Sequence, residues 1–186
     1  MLGNKICGAI YGQFIGDALG TRYEFKSSAK VKEMIQKDKL PNNFLPILGE
    51  GPFHVAKGQV TDDTELAMGL LYSLLEQKTY KKDFVAQKYI KWSKSKPFDI
   101  GTTTFNAFND ADNYKDIVAN AKKHNKTSIS NGCLMRISPL AIYGLKLSDA
   151  ELMEFCLQDT IMTSPNPITV DSVKGYCVAL KTALLT

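Results

Sequence analysis

The stretch Val60-Thr61-Asp62-Asp63-Thr64-Glu65 sets two adjacent carboxylates between two threonine hydroxyls, directly before Leu66-Ala67-Met68-Gly69-Leu70-Leu71-Tyr72-Ser73-Leu74-Leu75. In that second run Leu66, Leu70, Leu71, Leu74 and Leu75 fall on one stripe of a helix. The acids therefore stand at a helix N-terminus whose direction is set by a buried element. Two chemistries suit that position. Asp62 as N-cap with Glu65 three residues on reads as a capping box, and acids favour the positive end of a helix. Carboxylates with flanking hydroxyls also form a hard-oxygen set of the kind Mg²⁺ or Mn²⁺ prefers.

Two further stretches carry chemistry. Gly16-Asp17-Ala18-Leu19-Gly20 is followed by Thr21-Arg22-Tyr23-Glu24-Phe25. This places Asp17 near a helix C-terminus, the wrong end of the dipole for an acid, so it needs a cation or hydrogen-bond donors. Arg22 is the simplest partner. In Ser130-Asn131-Gly132-Cys133-Leu134-Met135-Arg136-Ile137-Ser138-Pro139 a polar glycine turn enters an apolar helix, and free N–H groups there suit a phosphate.

The elements that must position these residues all read as helices. Residues 4–19 carry Ile6, Ile10 and Phe14 on one stripe. Gly8, Gly12, Gly16 and Gly20 recur every four residues, at a cost of up to about 1 kcal/mol each relative to alanine. The spacing predicts a tightly packed central helix approached closely by another backbone or a ligand. A short surface helix is expected over 28–37, then a long loop from Pro41 to Gly58 that delivers the chain into Thr61. Helices follow over 64–76, then from Lys81 with Val85, Tyr89 and Trp92 on one face until Pro97, then after Gly101, over 113–123, from Ser148 (a capping box with Glu151) to about Asp159, and over 168–185. No stretch alternates as a strand does, so the fold class is all-α, in a single domain over 1–186.

Composition narrows the function classes. Hydrophobic residues make up 44% and charged residues 23%, as in ordinary globular proteins. Nothing approaches the roughly 18 apolar residues of a membrane span, and no signal-peptide pattern opens the chain, so the cytoplasm is the expected location and no membrane partner is expected. The net charge is +4 with scattered basic residues, which gives no nucleic-acid stripe. Cys7, Cys133, Cys156 and Cys177 lie far apart in apolar contexts and are expected as buried thiols. Only His54 and His124 are present, which excludes a site built on several imidazoles.

Taken together and in this order, Gly16-Asp17-Ala18-Leu19-Gly20 with Glu24, Thr61-Asp62-Asp63-Thr64, and Asn131-Gly132-Cys133-Leu134-Met135-Arg136 with Pro139 resemble the ADP-ribosylglycohydrolase family. The resemblance covers essentially the whole chain. It implies a compact orthogonal all-α fold with two metal ions, Mg²⁺ or Mn²⁺, in a central cleft that holds ADP-ribose. By the same resemblance, Thr61, Asp62 and Asp63 are metal ligands. Glu24 stands beside the reacting ribose, binding metal or handling a proton, so that Glu24, Asp62 and Asp63 form the catalytic set. Gly132 and Cys133 line the diphosphate site, and Asn131 and Met135 shape it. The implied reaction is metal-dependent hydrolysis of the glycosidic bond joining ADP-ribose to a protein side chain or small adduct.

The sequence departs from that pattern in two places. The family's second acidic motif, Asp-x-Asp followed by Thr or Ser, has no counterpart after Asp63. The residue after Thr163 is Ser164 where many members have histidine. The C-terminal portion of the family fold is expected to be absent. A site lacking those ligands is expected to hold one metal at most, weakly, and to turn over slowly. A catalytically inactive ADP-ribose-binding or structural relative, or a truncated fragment, is the alternative reading. The helices around 4–19 and 64–76 are also expected to expose apolar surface.

Overall fold

A computed structural model describes every residue from Met1 to Thr186. The elements in order are α1 (Leu2–Gly20), α2 (Ser28–Asp38), α3 (Asp62–Gln77), α4 (Lys82–Lys94), α5 (Thr102–Phe108), α6 (Tyr114–His124), α7 (Ser138–Tyr143), α8 (Asp149–Thr160) and α9 (Pro167–Leu185). Tight 3-10 turns stand at Thr21–Tyr23, Asn131–Cys133 and Gly144–Lys146. The only β-type pairing is one isolated antiparallel bridge between Glu50 and Val55. The fold is all-α.

Local chemistry explains several of the boundaries. Asn113 accepts the Lys115 and Asp116 N–H groups to start α6, and Asn166 accepts the Ile168 N–H ahead of Pro167 to start α9. The capping box expected at Ser148 and Glu151 is formed in both directions. Each such cap satisfies backbone donors that the first helical turn leaves free.

Helix α3 packs on α4 and α7, α5 on α6, and α8 on α9. Leu66, Leu70, Tyr89, Phe108, Leu140 and Leu152 are among the residues that form one continuous core between them. The buried stripe of α3 is narrower than its leucines suggested. Leu66, Leu70 and Leu74 are inside, Leu71 is half-buried, and Leu75 is exposed with Tyr72.

Helix α1 corrects a second expectation. Its partly buried side does carry Ile6, Ile10 and Phe14, yet Ala18 is its only fully buried residue. A Cβ added at Gly8, Gly12, Gly16 or Gly20 would meet nothing within 4 Å. The glycine ridge therefore lies open on the surface, and no neighbouring backbone makes use of it. Tyr11 and Ile15 are exposed on the same helix. Cys7, also on α1, is exposed, whereas Cys133, Cys156 and Cys177 are the buried thiols expected.

Arg136 and Asp159 lie at the centre of the core, both fully buried. Arg136 donates from Nε to Asp159 Oδ1 at 2.9 Å, and to the Asp159 carbonyl and the Thr163 hydroxyl at 2.8 and 3.0 Å. Tyr89 donates to Asp159 Oδ2 at 3.1 Å and lies under the guanidinium at 4.9 Å from ring centroid to Cζ. Every charge is thus paired and its remaining hydrogen-bonding capacity used, the condition under which a buried ion pair is tolerated. Arg136 also donates to the Gly132 carbonyl, which ties this network to the loop at the site.

Candidate active site

The acidic stretch is held at its start from α1. Asp17, in the last turn of that helix, accepts the Thr61 N–H at 2.9 Å, the Thr61 hydroxyl at 2.9 Å and the Thr64 N–H at 3.1 Å. These are donors that the first turn of α3 leaves free, so Asp17 caps α3 from another helix. Two expectations change as a result. The N-cap residue is Thr61 and Asp62 is the first helical residue, with no side-chain cap of its own. Arg22 pairs not with Asp17 but with Asp38, at 2.7 and 3.1 Å. The donors Asp17 needs come from α3, where a buried helix fixes their direction, and the Arg22 guanidinium is held by Asp38.

Glu24 is positioned by the turn at Thr21–Tyr23 and by the loop docked against it. Gly51 stands at φ +77, and a Cβ there would lie 2.7 Å from the Thr21 carbonyl oxygen and 2.8 Å from Arg22 Cα. Only glycine permits that contact. The third wall comes from the Asn131–Cys133 turn. Gln13 donates to the Met135 carbonyl at 2.8 Å, and Arg136 holds the Gly132 carbonyl from beneath. Asn131 is part of a 3-10 turn, and the apolar helix begins only at Ser138. The Asn-Gly turn therefore does not sit at the N-terminus of a long helix, as the sequence suggested.

These walls enclose a cavity of about 420 Å³ whose lining includes Glu24, Asp62, Asp63, Asp99, Gly132 and Met135, together with Phe25, Thr102–Thr104, Ser130 and Asn131. Four carboxylates face it, and no lysine or arginine does. Burial pushes the Glu24 carboxyl up to about 7, with Asp99, Asp62 and Asp17 adding repulsion. Burial likewise raises Asp63 to about 7, with the neighbouring acids again contributing, Asp62 first. Asp99 rises to about 6 through burial and then Asp62. Asp62 is also raised by burial, an effect opposed by the Gly101 N–H donating to its Oδ2 at 3.3 Å.

Of the residues expected at the site, Glu24, Asp62, Asp63, Asn131, Gly132 and Met135 share this cavity. Thr61 does not line it; it is buried behind the acids, with its hydroxyl donated to Asp17. The Cys133 side chain is 1% exposed and belongs to the core, because the 3-10 turn directs it inward; burial raises its thiol pKa. Asp99 and Phe25 are additions. Phe98-Asp99-Ile100-Gly101-Thr102-Thr103-Thr104 repeats the combination of acid and hydroxyls seen at Thr61-Asp62-Asp63-Thr64, a signal that could have marked Asp99.

The donor set fits a hard divalent cation in its chemistry. It consists of half-buried carboxylate oxygens that repel one another, backed by threonine hydroxyls and without a protein cation to offset them. No three of the His, Cys, Asp and Glu side chains converge closely enough to ligate an ion together. The residues thus supply the oxygens for an ion without a closed cage.

A model of the ADP-ribosylglycohydrolase family matches residues 2–186. The chain belongs to that family. It is 35% identical over 165 residues to a protein of Acanthamoeba polyphaga mimivirus that carries the name ADP-ribosyl glycohydrolase, covering 86% of this chain and 49% of that one. To the ADP-ribosyl-[dinitrogen reductase] glycohydrolase of Rhodospirillum rubrum it is 26% identical, over 89% of this chain and 53% of the other. To the ADP-ribosylarginine hydrolase of Pseudomonas putida it is 27% identical, over 83% and 40%. A solved structure titled ADP-ribosylglycohydrolase-related protein complex superposes with a TM-score of 0.74 at 23% identity, over 98% of this chain and 57% of that one. The fold of this family member is therefore that of the solved relative. The chain spans about half the length of the curated relatives it matches. No helix is long and apolar enough to cross a membrane.

Proposed function

We propose that this chain carries the acidic half of a hydrolase site that cleaves the glycosidic bond between ADP-ribose and a protein side chain or small adduct. The observation that carries this reading is the cavity itself, lined by four carboxylates and the Gly132 turn, with no lysine or arginine in its lining. Family membership and the names of the relatives support it. An ADP-ribosylated protein or ADP-ribose adduct is the corresponding partner.

The chemistry follows from the groups present. Breaking a bond at the anomeric carbon of ribose builds positive charge on the sugar, and a second group must deliver water to it. A carboxyl titrating near 7 is matched to taking a proton from water at neutral pH. Glu24 and Asp63 both meet that condition, with Glu24 on the turn after α1 and Asp63 in the first turn of α3. Asp62, tied down by the Gly101 N–H, lends negative charge where the sugar becomes positive. Gly132 leaves room for the diphosphate: a Cβ there would already stand 3.1 Å from the Thr104 hydroxyl.

Mg²⁺ or Mn²⁺, held by neighbouring members of the set Asp62, Asp63, Glu24 and Asp99 with water completing its shell, would supply Lewis acidity and orient the ribose hydroxyls. In this reading Thr61 contributes by fixing the helix start rather than by ligating.

A second reading, ADP-ribose binding with little turnover, is favoured by the lack of three converging acids. One experiment separates the two: incubation with an ADP-ribosylated arginine peptide and Mg²⁺, following free ADP-ribose by chromatography and ADP-ribose affinity by calorimetry. Release above the uncatalysed rate supports the hydrolase. Binding without release supports the second reading, and neither signal removes both.

A further inference from the structure

The end of α3 remote from its acids carries an apolar groove that bond cleavage does not use. It lies between the last turns of α3 and α7 and has a volume of about 350 Å³. On the α3 side it is lined by Leu71, Leu75 and Lys78, whose spacing puts all three on one face of a helix. On the other side Pro139, Ile142 and Tyr143 lead in the same way to Lys146. Leu75 is 64% exposed, and Tyr72, one turn before it, is 51% exposed. The apolar surface therefore continues past the groove itself.

Both lysines belong to the surroundings of one ring. Lys146 Nζ lies over Tyr143, 4.1 Å from the ring centroid, and the Tyr143 hydroxyl donates to the Lys78 carbonyl at 3.0 Å. Neither lysine takes part in an ion pair. No carboxylate lines the groove, and nearby Glu76 is held by Lys88 at 2.9 Å. An apolar trough with two unpaired ammonium groups is complementary to an apolar helix stripe flanked by carboxylates. A single acyl chain could fill the groove but would leave Tyr72 uncovered. A second copy of this chain has no such stripe to offer: acids stand beside apolar residues on α3 and α8, but there Leu66, Leu70, Leu152 and Cys156 are fully buried.

We propose that the groove between α3 and α7 docks an acidic amphipathic helix of a partner protein. Its apolar side chains lie between Leu75 and Ile142, and its carboxylates meet Lys78 and Lys146. The proposal does not depend on the hydrolase reading. Helix α3 starts at Asp62 and reaches Lys78 only after roughly 24 Å of helix. A docked helix thus leaves the acidic cavity open and holds the partner near it.

The test uses the 186-residue chain and fluorescence anisotropy with stapled peptides of about 14 residues, because free helices of that length are marginal in water. The first peptide carries a leucine stripe at helical spacing flanked by glutamates. The second has lysines in place of the glutamates, and the third keeps the composition with the stripe broken. The acidic peptide is expected to bind, and the other two to bind about 10-fold more weakly or less. Lys78→Gln and Lys146→Gln should each weaken the acidic peptide by about 1.5- to 5-fold, the range of one exposed ion pair. Combining Lys78→Glu with Lys146→Glu should invert the preference toward the lysine peptide, which a loss of folding cannot mimic. Should that double variant melt below the parent, Leu75→Ser, at an exposed position, is expected to weaken the acidic peptide at an unchanged melting temperature. Failure of the acidic peptide to bind overturns the proposal, as does equal binding of the acidic and basic peptides. Unchanged affinity in both glutamine variants overturns it as well. Binding of dodecanoate without binding of the peptide would assign the groove to an acyl anion. Sedimentation showing parent dimers that Leu75→Ser dissociates would assign it to a second copy. Either result removes the partner helix.

Discussion

Removing the Asp17 carboxylate tests how the site is built. In Asp17→Ala the N–H groups of Thr61 and Thr64 and the Thr61 hydroxyl lose their acceptor. Loss of a helix cap costs about 0.5–2 kcal/mol, and each buried donor left unpaired costs about 1–3 kcal/mol. Thr61 is 1% exposed and Thr64 4%, so water does not readily replace the lost acceptor. Set against this, Asp17 repels Asp62, Asp63 and Glu24, and removing it returns on the order of 1 kcal/mol. The net expectation is a loss of about 2–3 kcal/mol. For a chain of this size that lowers Tm by roughly 4–12 °C. Differential scanning calorimetry of parent and variant in chelator reads it directly. A shift below about 2 °C would refute the claim that Asp17 caps α3. Asp17→Asn should lie between the two, because its amide keeps one acceptor and turns a donor toward two N–H groups.

Three other outcomes follow from the same geometry. Arg136→Met leaves Asp159 charged and buried, and should cost about 3–5 kcal/mol, seen as a fall in the urea midpoint; a variant as stable as the parent would contradict the network. Without divalent cations, Glu24 and Asp63 hold protons up to about pH 7 when folded but only to about pH 4 when unfolded. The folded state thus binds more protons between those values, so their contribution is full below about pH 4 and is lost as the pH rises through 7. Tm of the chelated protein should fall between pH 5 and pH 8, and Mg²⁺ should reverse part of that fall at pH 8; a flat profile would contradict the crowded acids. Gly132→Val pushes methyl groups toward the Thr104 hydroxyl, 3.1 Å from the first added carbon. It should abolish calorimetric ADP-ribose binding while leaving Mn²⁺ affinity nearly intact, and unaltered ADP-ribose affinity would remove Gly132 from the diphosphate site.

Much of the scaffold was legible because helix signals are local. The Ser148–Glu151 box and the period of Val170, Val173 and Cys177 along α9 each act within a turn or two. Glu24, Asp62, Asp63 and Gly132 were legible through ordered motifs. What was not legible depends on contacts distant in sequence. Asp17 finds its donors 44 and 47 residues away, so nearby Arg22 looked like its partner. A glycine repeat shows that a close approach is permitted, not that anything arrives, and on α1 nothing does. Cys133 follows the polar turn in sequence but points into the core, because a 3-10 turn rotates successive side chains by about a third of a turn. Asp99 has only the hydroxyls of Thr102–Thr104 as a local signal, and the fold brings it to the other acids.

The central claim is that Asp63 and Glu24 face the bond being cleaved, and a single-turnover assay tests it most directly. Excess protein, Mg²⁺ and an ADP-ribosylated arginine peptide are mixed at pH 7, and free ADP-ribose is followed over hours so that slow chemistry is visible. Release by the parent should require Mg²⁺ and should fall by about 10²- to 10⁴-fold in Asp63→Asn and Glu24→Gln, the usual contribution of a positioned acid or base. Release by both variants at the parent rate would contradict the account.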